Sequence, residues 1–283
     1  MGIKVVTDST SYIPKEYIEK YDIRVVSLNV IMNGISEREV EINDEVFYEK
    51  MELSSEIPTS SQPSTEEFYN VFEEIIKEGH SVLGIFLSSK MSGTYSTAFL
   101  IKDMILENYP NAEIEIIDSM NTTMAMGFSV VDAARKAIET SKTLGEIKAE
   151  AKEIIEKSDI LFSPGGLKHF KKGGRIGAAS ALIGGILQII PILHVKYGEV
   201  EVLDKVRTKK KAINQMLKII GDKMKNKGIT EAVVYHILNK SEAIDLKKRL
   251  KLELKIDAKI MDIGPIVGLH VGPGSIGIAY YTK

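Results

Sequence analysis

Short apolar runs, hydroxyl-rich loops and amphipathic helical stretches succeed one another along the first half of the chain. Residues 3–7 read as a strand and lead directly into Asp8, Ser9, Thr10 and Ser11. Pro14 opens a helix expected to reach Tyr21, because proline is tolerated in a first helical turn. Residues 23–32 read as a second strand region, and Asn33-Gly34 is a hairpin-type turn signal. Asn43 or Asp44 is placed to cap a helix carrying Val46, Phe47 and Met51. Phe68, Val71, Phe72, Ile75 and Ile76 recur at helical spacing after Thr65, with Gly79 as the terminator. Strands are expected at 81–87 and 113–117. Helices are expected from Gly93 to about Glu107, from Thr123 to Thr140 and from Leu144 to Lys157.

Strand, polar loop and helix thus recur at least three times. That order predicts a parallel sheet covered on both faces, with ligands favoured in the loops beyond the carboxyl ends of the strands. The polar clusters at 8–11, 88–94 and 118–122 hold those positions. From about Ser158 the pattern changes. Strands are expected at 160–162, 189–195, 199–206, 231–237, 256–263 and 276–281, with helices at 209–226 and 240–253. Residues 168–174 read as a basic, flexible turn. A parallel-sheet α/β domain followed, from about Ser158, by a second, mixed α/β domain is the simplest account. A length of 283 residues agrees with it, at roughly 150 residues per domain.

One segment tests whether the chain is soluble. Residues 176–195 contain no Asp, Glu, Lys or Arg and are long enough to span a bilayer. Ser180, Gln188, Pro191 and His194 interrupt the run, and Gly177, Gly184 and Gly185 reduce its bulk. A buried helix followed by a strand, lining a core or an apolar ligand site, is the better reading. The opening MGIKVVTDS reaches Asp8 before any apolar region of useful length, so neither a secretory signal nor, with Val6 in place of Ser or Thr, a myristoylation signal is expected.

Composition narrows the chemistry. The chain has no cysteine, which excludes disulfides, thiolate catalysis and cysteine-held metal clusters. The 37 basic and 39 acidic residues leave a net charge of -2, which gives no support to a broad nucleic-acid surface. His80, His169, His194 and His236 show no metal-ligand spacing.

Four polar segments remain. In Thr59-Ser60-Ser61-Gln62-Pro63-Ser64, Ser64 and Glu67 form a capping box, which accounts for Ser64 and leaves Ser60 for another task. Ser88 to Tyr95 lies where a buried strand gives way to a helix: either a helix start or a place where hydroxyls and backbone donors hold an anion. Lys171-Lys172-Gly173-Gly174-Arg175 is a solvated turn or a phosphate-approaching loop, but not a Walker motif. His270 precedes a glycine-proline turn and can serve as a donor, an acid or a base. Asp8 and Asp118 each end a strand, which keeps an autonomous phosphotransferase or hydrolase using them and His270 as an alternative. The Gly-x-Ser-x-Gly nucleophile elbow is absent.

The ordered set of motifs VVTDST (5–10), SSQPS (60–64), SSKMSGTY (88–95), IIDS (116–119), KKGGRI (171–176) and GPIVGLHVGPG (264–274) resembles the DegV family of bacterial fatty-acid-binding proteins. The resemblance spans essentially the whole chain and implies a three-layer α/β/α parallel-sheet domain over 1–158 followed by a two-layer α/β mixed-sheet domain over 159–283. It implies a cytoplasmic lipid-binding protein of phospholipid metabolism that holds one long-chain fatty acid, such as palmitate, stearate or oleate, in an apolar tunnel. Members of the fatty-acid-kinase type present the carboxylate to a separate ATP-dependent kinase, which forms the acyl-phosphate. By the same resemblance the chain is a non-catalytic subunit without cofactor or metal. Ser92 matches the serine that bonds the carboxylate, Ser60 its usual threonine companion, Ser61 a weaker contact and His270 a histidine near the head group. Arg175 matches an arginine of phosphoryl transfer or kinase docking. Leu269 stands where a threonine is common, and Ser96-Thr97 where Gln-Ser is common. Burying about 15 methylenes at roughly 0.8 kcal/mol each offers on the order of 12 kcal/mol before binding costs. Tail burial, along the apolar helices and the 176–195 stretch, is therefore expected to dominate affinity, while the head contacts set orientation.

Overall fold

The computed structural model describes residues 2–54, 56, 58–177, 179–180 and 189–283, with the backbone alone for Leu167, Lys171 and Lys172. Two compact units emerge. The first comprises Met1–Ile31, Ser36–Glu41 and Ser60–Glu156; the second comprises Met32–Ile35, Ile42–Thr59 and Lys157–Lys283.

In chain order, β1 (Ile3–Asp8), α1 (Lys15–Lys20), β2 (Arg24–Val26), β3 (Asn29–Met32), β4 (Ile35–Arg38), α2 (Asp44–Leu53), β5 (Thr59–Ser61) and α3 (Thr65–Lys77) lead to β6 (Ser81–Phe86), α4 (Thr94–Asn108), β7 (Ile114–Asp118), α5 (Thr123–Glu139) and α6 (Leu144–Lys157). Strands β2, β1, β6 and β7 form, in that order, an all-parallel sheet. Its register places Val6, Val26, Val82, Phe86, Ile114 and Ile116 on one face, where they pack with Phe68, Phe72 and Ile75 of α3 and Ala98, Ile101 and Ile105 of α4. The opposite face, with Val5, Leu83 and Ile85, meets α5. Burial on both faces explains why 81–87 reads as an unbroken apolar run. A small sheet of order β4-β3-β5 accompanies this unit. Asn33 and Gly34 turn its hairpin at φ 51° and 78°, as a two-residue turn of this type demands.

The region 23–32 is two strands, not one. The backbone N–H of Ser27 donates to Glu67 Oε1 (3.1 Å) and that of Leu28 to Ser9 Oγ (3.1 Å), so side chains take donors that a continuous ladder would use. The capping box is also half formed. Ser64 Oγ accepts from the Glu67 N–H (3.1 Å), but the Glu67 carboxylate is held by Arg38 (2.7 Å) and Ser27.

In the second unit, β8 (Ser158–Ser163), α7 (Leu167–Gly173), β9 (Ile190–Lys196), β10 (Glu199–Val206), α8 (Lys209–Lys227), β11 (Ile229–His236), α9 (Lys240–Leu254), β12 (Lys259–Asp262), α10 (Pro265–Val271) and β13 (Ile276–Thr282) complete the chain. Six strands in the order β10-β9-β8-β13-β11-β12 form a mixed sheet, with β11–β12 parallel and the other neighbours antiparallel. Helices α8 and α9 cover one face through Met216, Leu217, Ile220, Leu246 and Leu250, packed on Leu161, Ile192, Val234 and Ile278. The parallel-sheet and mixed-sheet architectures are those the patterning predicts. Within the uncharged 176–195 stretch, Ile176, Ala179, Ile192 and Leu193 are buried and β9 is formed; Ala178 and residues 181–188, where the buried helix was expected, lie outside the described residues. Among the described residues, no helix is long and apolar enough to cross a membrane.

The parallel sheet reverses its winding between β1 and β6, and Asp8 stands at that point. Its carboxylate is fully buried and accepts from Thr10 Oγ1 (2.6 Å), Thr10 N (3.0 Å) and Leu87 N (2.8 Å). Burial outweighs these donors and raises its pKa to about 6. A folded-state value above the unfolded one means that the contribution to stability is present in full below about pH 4 and is lost as pH rises through 6. Asp8→Asn should therefore gain stability relative to the native chain by on the order of 2–3 kcal/mol between pH 4 and pH 7 in urea unfolding. A difference between the two proteins that does not vary with pH would contradict this.

Candidate functional site

The carboxyl ends of β1, β6 and β7 carry the polar loops of the first unit, the region where open parallel sheets bind ligands. Ser88 N donates to the Asn121 carbonyl (2.9 Å) and Ser119 N to the Phe86 carbonyl (3.0 Å), which fastens the loop after β6 to the loop after β7. The Ser88 carbonyl accepts from the N–H groups of Met91 (2.9 Å) and Ser92 (3.1 Å), closing a turn that delivers Ser92 to the start of α4. There Ser92 Oγ accepts from Thr94 N (3.3 Å) and lies 3.0 Å from Thr94 Oγ1. With Thr94 as the donor between the two hydroxyls, the Ser92 proton can be given to an anion. The positive end of a 15-residue helix favours one at that place.

The 60–64 segment lies against this turn. A side chain at position 93 would collide with the Gln62 amide oxygen, so Gly93 is what permits the approach. Asn29 Nδ2 donates to the Gln62 carbonyl (3.3 Å) and steadies the same stretch. Ser60 and Ser61, at the end of β5, are half-buried, as is Ser92. The first unit thus brings the SSQPS and SGTY segments together.

Asp118 accepts from Met120 N (2.8 Å) and Ser89 N (3.3 Å), while Asp8 is engaged as described above. Strand β6 lies between the two parent strands, which sets them about two strand spacings, or roughly 9–10 Å, apart. Both carboxylates serve backbone donors that shape the loops.

In the second unit, His270 lies in the last turn of α10, and Arg175 follows the end of α7. The basic stretch expected as a flexible turn is helical, anchored by Phe170, whose ring stacks on Phe162 at 5.9 Å. Gly174, at φ 68°, ends it in a left-handed cap. The two helices meet through reciprocal pairs: the His270 ring lies on Gly173, and the His169 ring lies on Gly272, with no room for a Cβ at either glycine. Arg175 is exposed, and its Nη1 donates to the Gly173 carbonyl (3.2 Å). Burial first, and the Arg175 charge second, push the His270 pKa down to about 4, against a backbone hydrogen bond with Gly173 that raises it. At neutral pH the imidazole is therefore uncharged. Among the described residues, no group of three His, Asp or Glu side chains is arranged to hold a metal ion.

The family model described as "Uncharacterised protein, DegV family" matches residues 2–283. The chain belongs to the DegV family. It is 52% identical over 280 residues to a DegV domain-containing protein of Clostridium perfringens, covering 99% of each chain. Among solved structures it is similar to DegV of Bacillus subtilis, described as a fatty acid binding protein, with TM-score 0.89 and 32% identity over 100% of both chains. A stearic acid-binding protein of Eubacterium ventriosum matches with TM-score 0.90 and 27% identity, over 99% of this chain and 98% of that one.

Three contributors to the DegV loops escaped the sequence reading. Gln62 is positioned by Gly93, Thr94 orients Ser92, and Thr123 opens α5 at φ 58°, a left-handed conformation uncommon for a β-branched residue. The glycine within SGTY was the available signal for the first, since close approach is a reason for glycine in a polar loop.

Removing the nearby positive charge should release part of the His270 shift. In Arg175→Ala, an NMR titration of the His270 ring should show its pKa moving up from about 4 toward, but not reaching, the ordinary histidine value. An unmoved titration would mean that the guanidinium does not act on the ring.

Proposed function

We propose that this chain is a cytoplasmic carrier that binds a long-chain fatty acid and presents its carboxylate to a separate ATP-dependent kinase for acyl-phosphate formation. The observation that carries the reading is the placement of Ser92 at the start of α4 with Gln62, the residue after Ser60 and Ser61, against the same turn. This is a hydroxyl-rich anion site in a chain whose full-length structural relatives are described as fatty acid binding. In this reading Ser60, Ser61 and Ser92 hold the carboxylate. His270, uncharged at neutral pH, is a further head-group contact. A charge-assisted hydrogen bond of this kind contributes about 1.5–3 kcal/mol, so a few such contacts orient the head while the apolar tail supplies most of the affinity. Arg175, exposed beside His270, is suited to a phosphoryl group or a partner's acidic surface. Palmitate, stearate and oleate are the candidate occupants. Asp8 is fully buried and both Asp8 and Asp118 are engaged by backbone donors, which weighs against the autonomous-enzyme alternative.

Denaturing extraction of the purified protein followed by mass spectrometry should recover about one long-chain fatty acid per chain. With a fatty acid kinase and ATP, Arg175→Ala should keep that lipid but form acyl-phosphate at least roughly tenfold more slowly. A protein that is empty and takes up no added fatty acid would overturn the carrier reading. Normal transfer in Arg175→Ala would remove the arginine from it.

A further inference from the structure

Helix α10 is only seven residues long, too short to hold its own position. Beside its packing on α7, bonds at its two ends help to fix it. At the far end, Ser275 Oγ lies 3.0 Å from the Val271 carbonyl and 2.6 Å from that of Gly272, and Gly274 N donates to the Ile237 carbonyl (2.8 Å). At the near end, Ile263 N donates to the His236 carbonyl (3.1 Å), which ties the helix entry to β11. A further anchor comes from α2, more than two hundred residues earlier and part of the same unit. Tyr48 is 2% exposed. Its hydroxyl donates to the Ile263 carbonyl at 2.7 Å and lies 3.1 Å from that of Gly264, the residue that caps α10. One turn on, Gly268 offers no side chain, and the Tyr48 hydroxyl occupies the space that a Cβ would need. The phenol therefore fits a notch cut by one glycine and closed by two carbonyls.

A buried hydroxyl aimed at a helix entry constrains both the axial position and the rotation of that helix. His270 lies six residues beyond Gly264, with its ring seated on Gly173. A small slide or rotation of α10 would lift that ring from its seat. We propose that Tyr48 is a positioning residue for His270: its hydroxyl holds α10 in the register that presents the imidazole. The assignment rests on the reading of His270 as a head-group contact, and it gives α2 a role that simple core packing would not.

Tyr48→Phe removes the hydroxyl and keeps the ring. In this variant the His270 imidazole should titrate nearer to the ordinary histidine value than the native pKa of about 4, as the ring leaves its seat. Acyl-phosphate formation with the kinase should slow by roughly tenfold, while the lipid content per chain is unchanged. Phe72→Leu, a core change in the first unit, serves as the control for general destabilisation and should leave the His270 titration where it was. Gly268→Ala, which fills the notch from the other side, should reproduce the Tyr48→Phe titration. A native His270 titration in Tyr48→Phe would overturn the proposal. A shifted titration with undiminished transfer would show that Tyr48 positions the ring and that the head-group role of His270 is wrong, which separates the two failures.

Discussion

The buried carboxylate of Asp8 is the constraint on which the polar end of the first unit depends. A parallel sheet that reverses its winding leaves a crevice at the reversal, and the backbone groups lining it have no ladder partners. Asp8 answers this by accepting from the N–H groups of Thr10 and Leu87, one on each side of the crevice. The loop after β6 then leaves in a fixed direction, and the Ser88 carbonyl turns it so that Ser92 reaches the start of α4. The cost of burying a carboxylate is visible in its raised pKa, and loop geometry is what that cost maintains.

The second unit solves a similar problem by steric fit. Its site-bearing helix is short and is held where glycines admit aromatic or imidazole rings: Gly268 under Tyr48, Gly173 under His270, and Gly272 under His169. Each contact removes the space that a side chain would need, so the same glycines that appear as loop punctuation in the sequence are packing surfaces in the fold. The consequence for chemistry is a histidine seated in a partly buried place beside a guanidinium, and so neutral at physiological pH.

Much of this architecture is legible in the residues. Apolar runs covered on both faces, capped amphipathic helices and turn signals such as Asn33-Gly34 are local, and local physics writes them into sequence. What escapes is set at long range. Ser27 and Leu28 interrupt a strand because distant side chains, Glu67 and Ser9, take their N–H groups. Residues 168–173 form a helix because Phe170 has Phe162 to stack on. No local pattern ties α2 to the residues before α10; a hydrogen bond from Tyr48 to Ile263 does. Helix α10 falls on residues to which the patterning assigns no element, although its signals are present. Pro265 at its first position and Gly272 just past its end are the usual start and stop signals. The hydroxyl segments stood out as chemistry, but their convergence through Gln62 and Gly93 is a property of the fold.

The central claim is that the Ser92 hydroxyl at the start of α4 receives a fatty-acid carboxylate. Carbon NMR of palmitate labelled at the carboxyl carbon tests it most directly. Bound to the native chain, the label should give one resonance apart from that of the free acid and remain ionised at pH values where free acid protonates. In Ser92→Ala that resonance should move and titrate at higher pH. A bound carboxyl resonance that is identical in native and Ser92→Ala proteins across the titration would contradict the account.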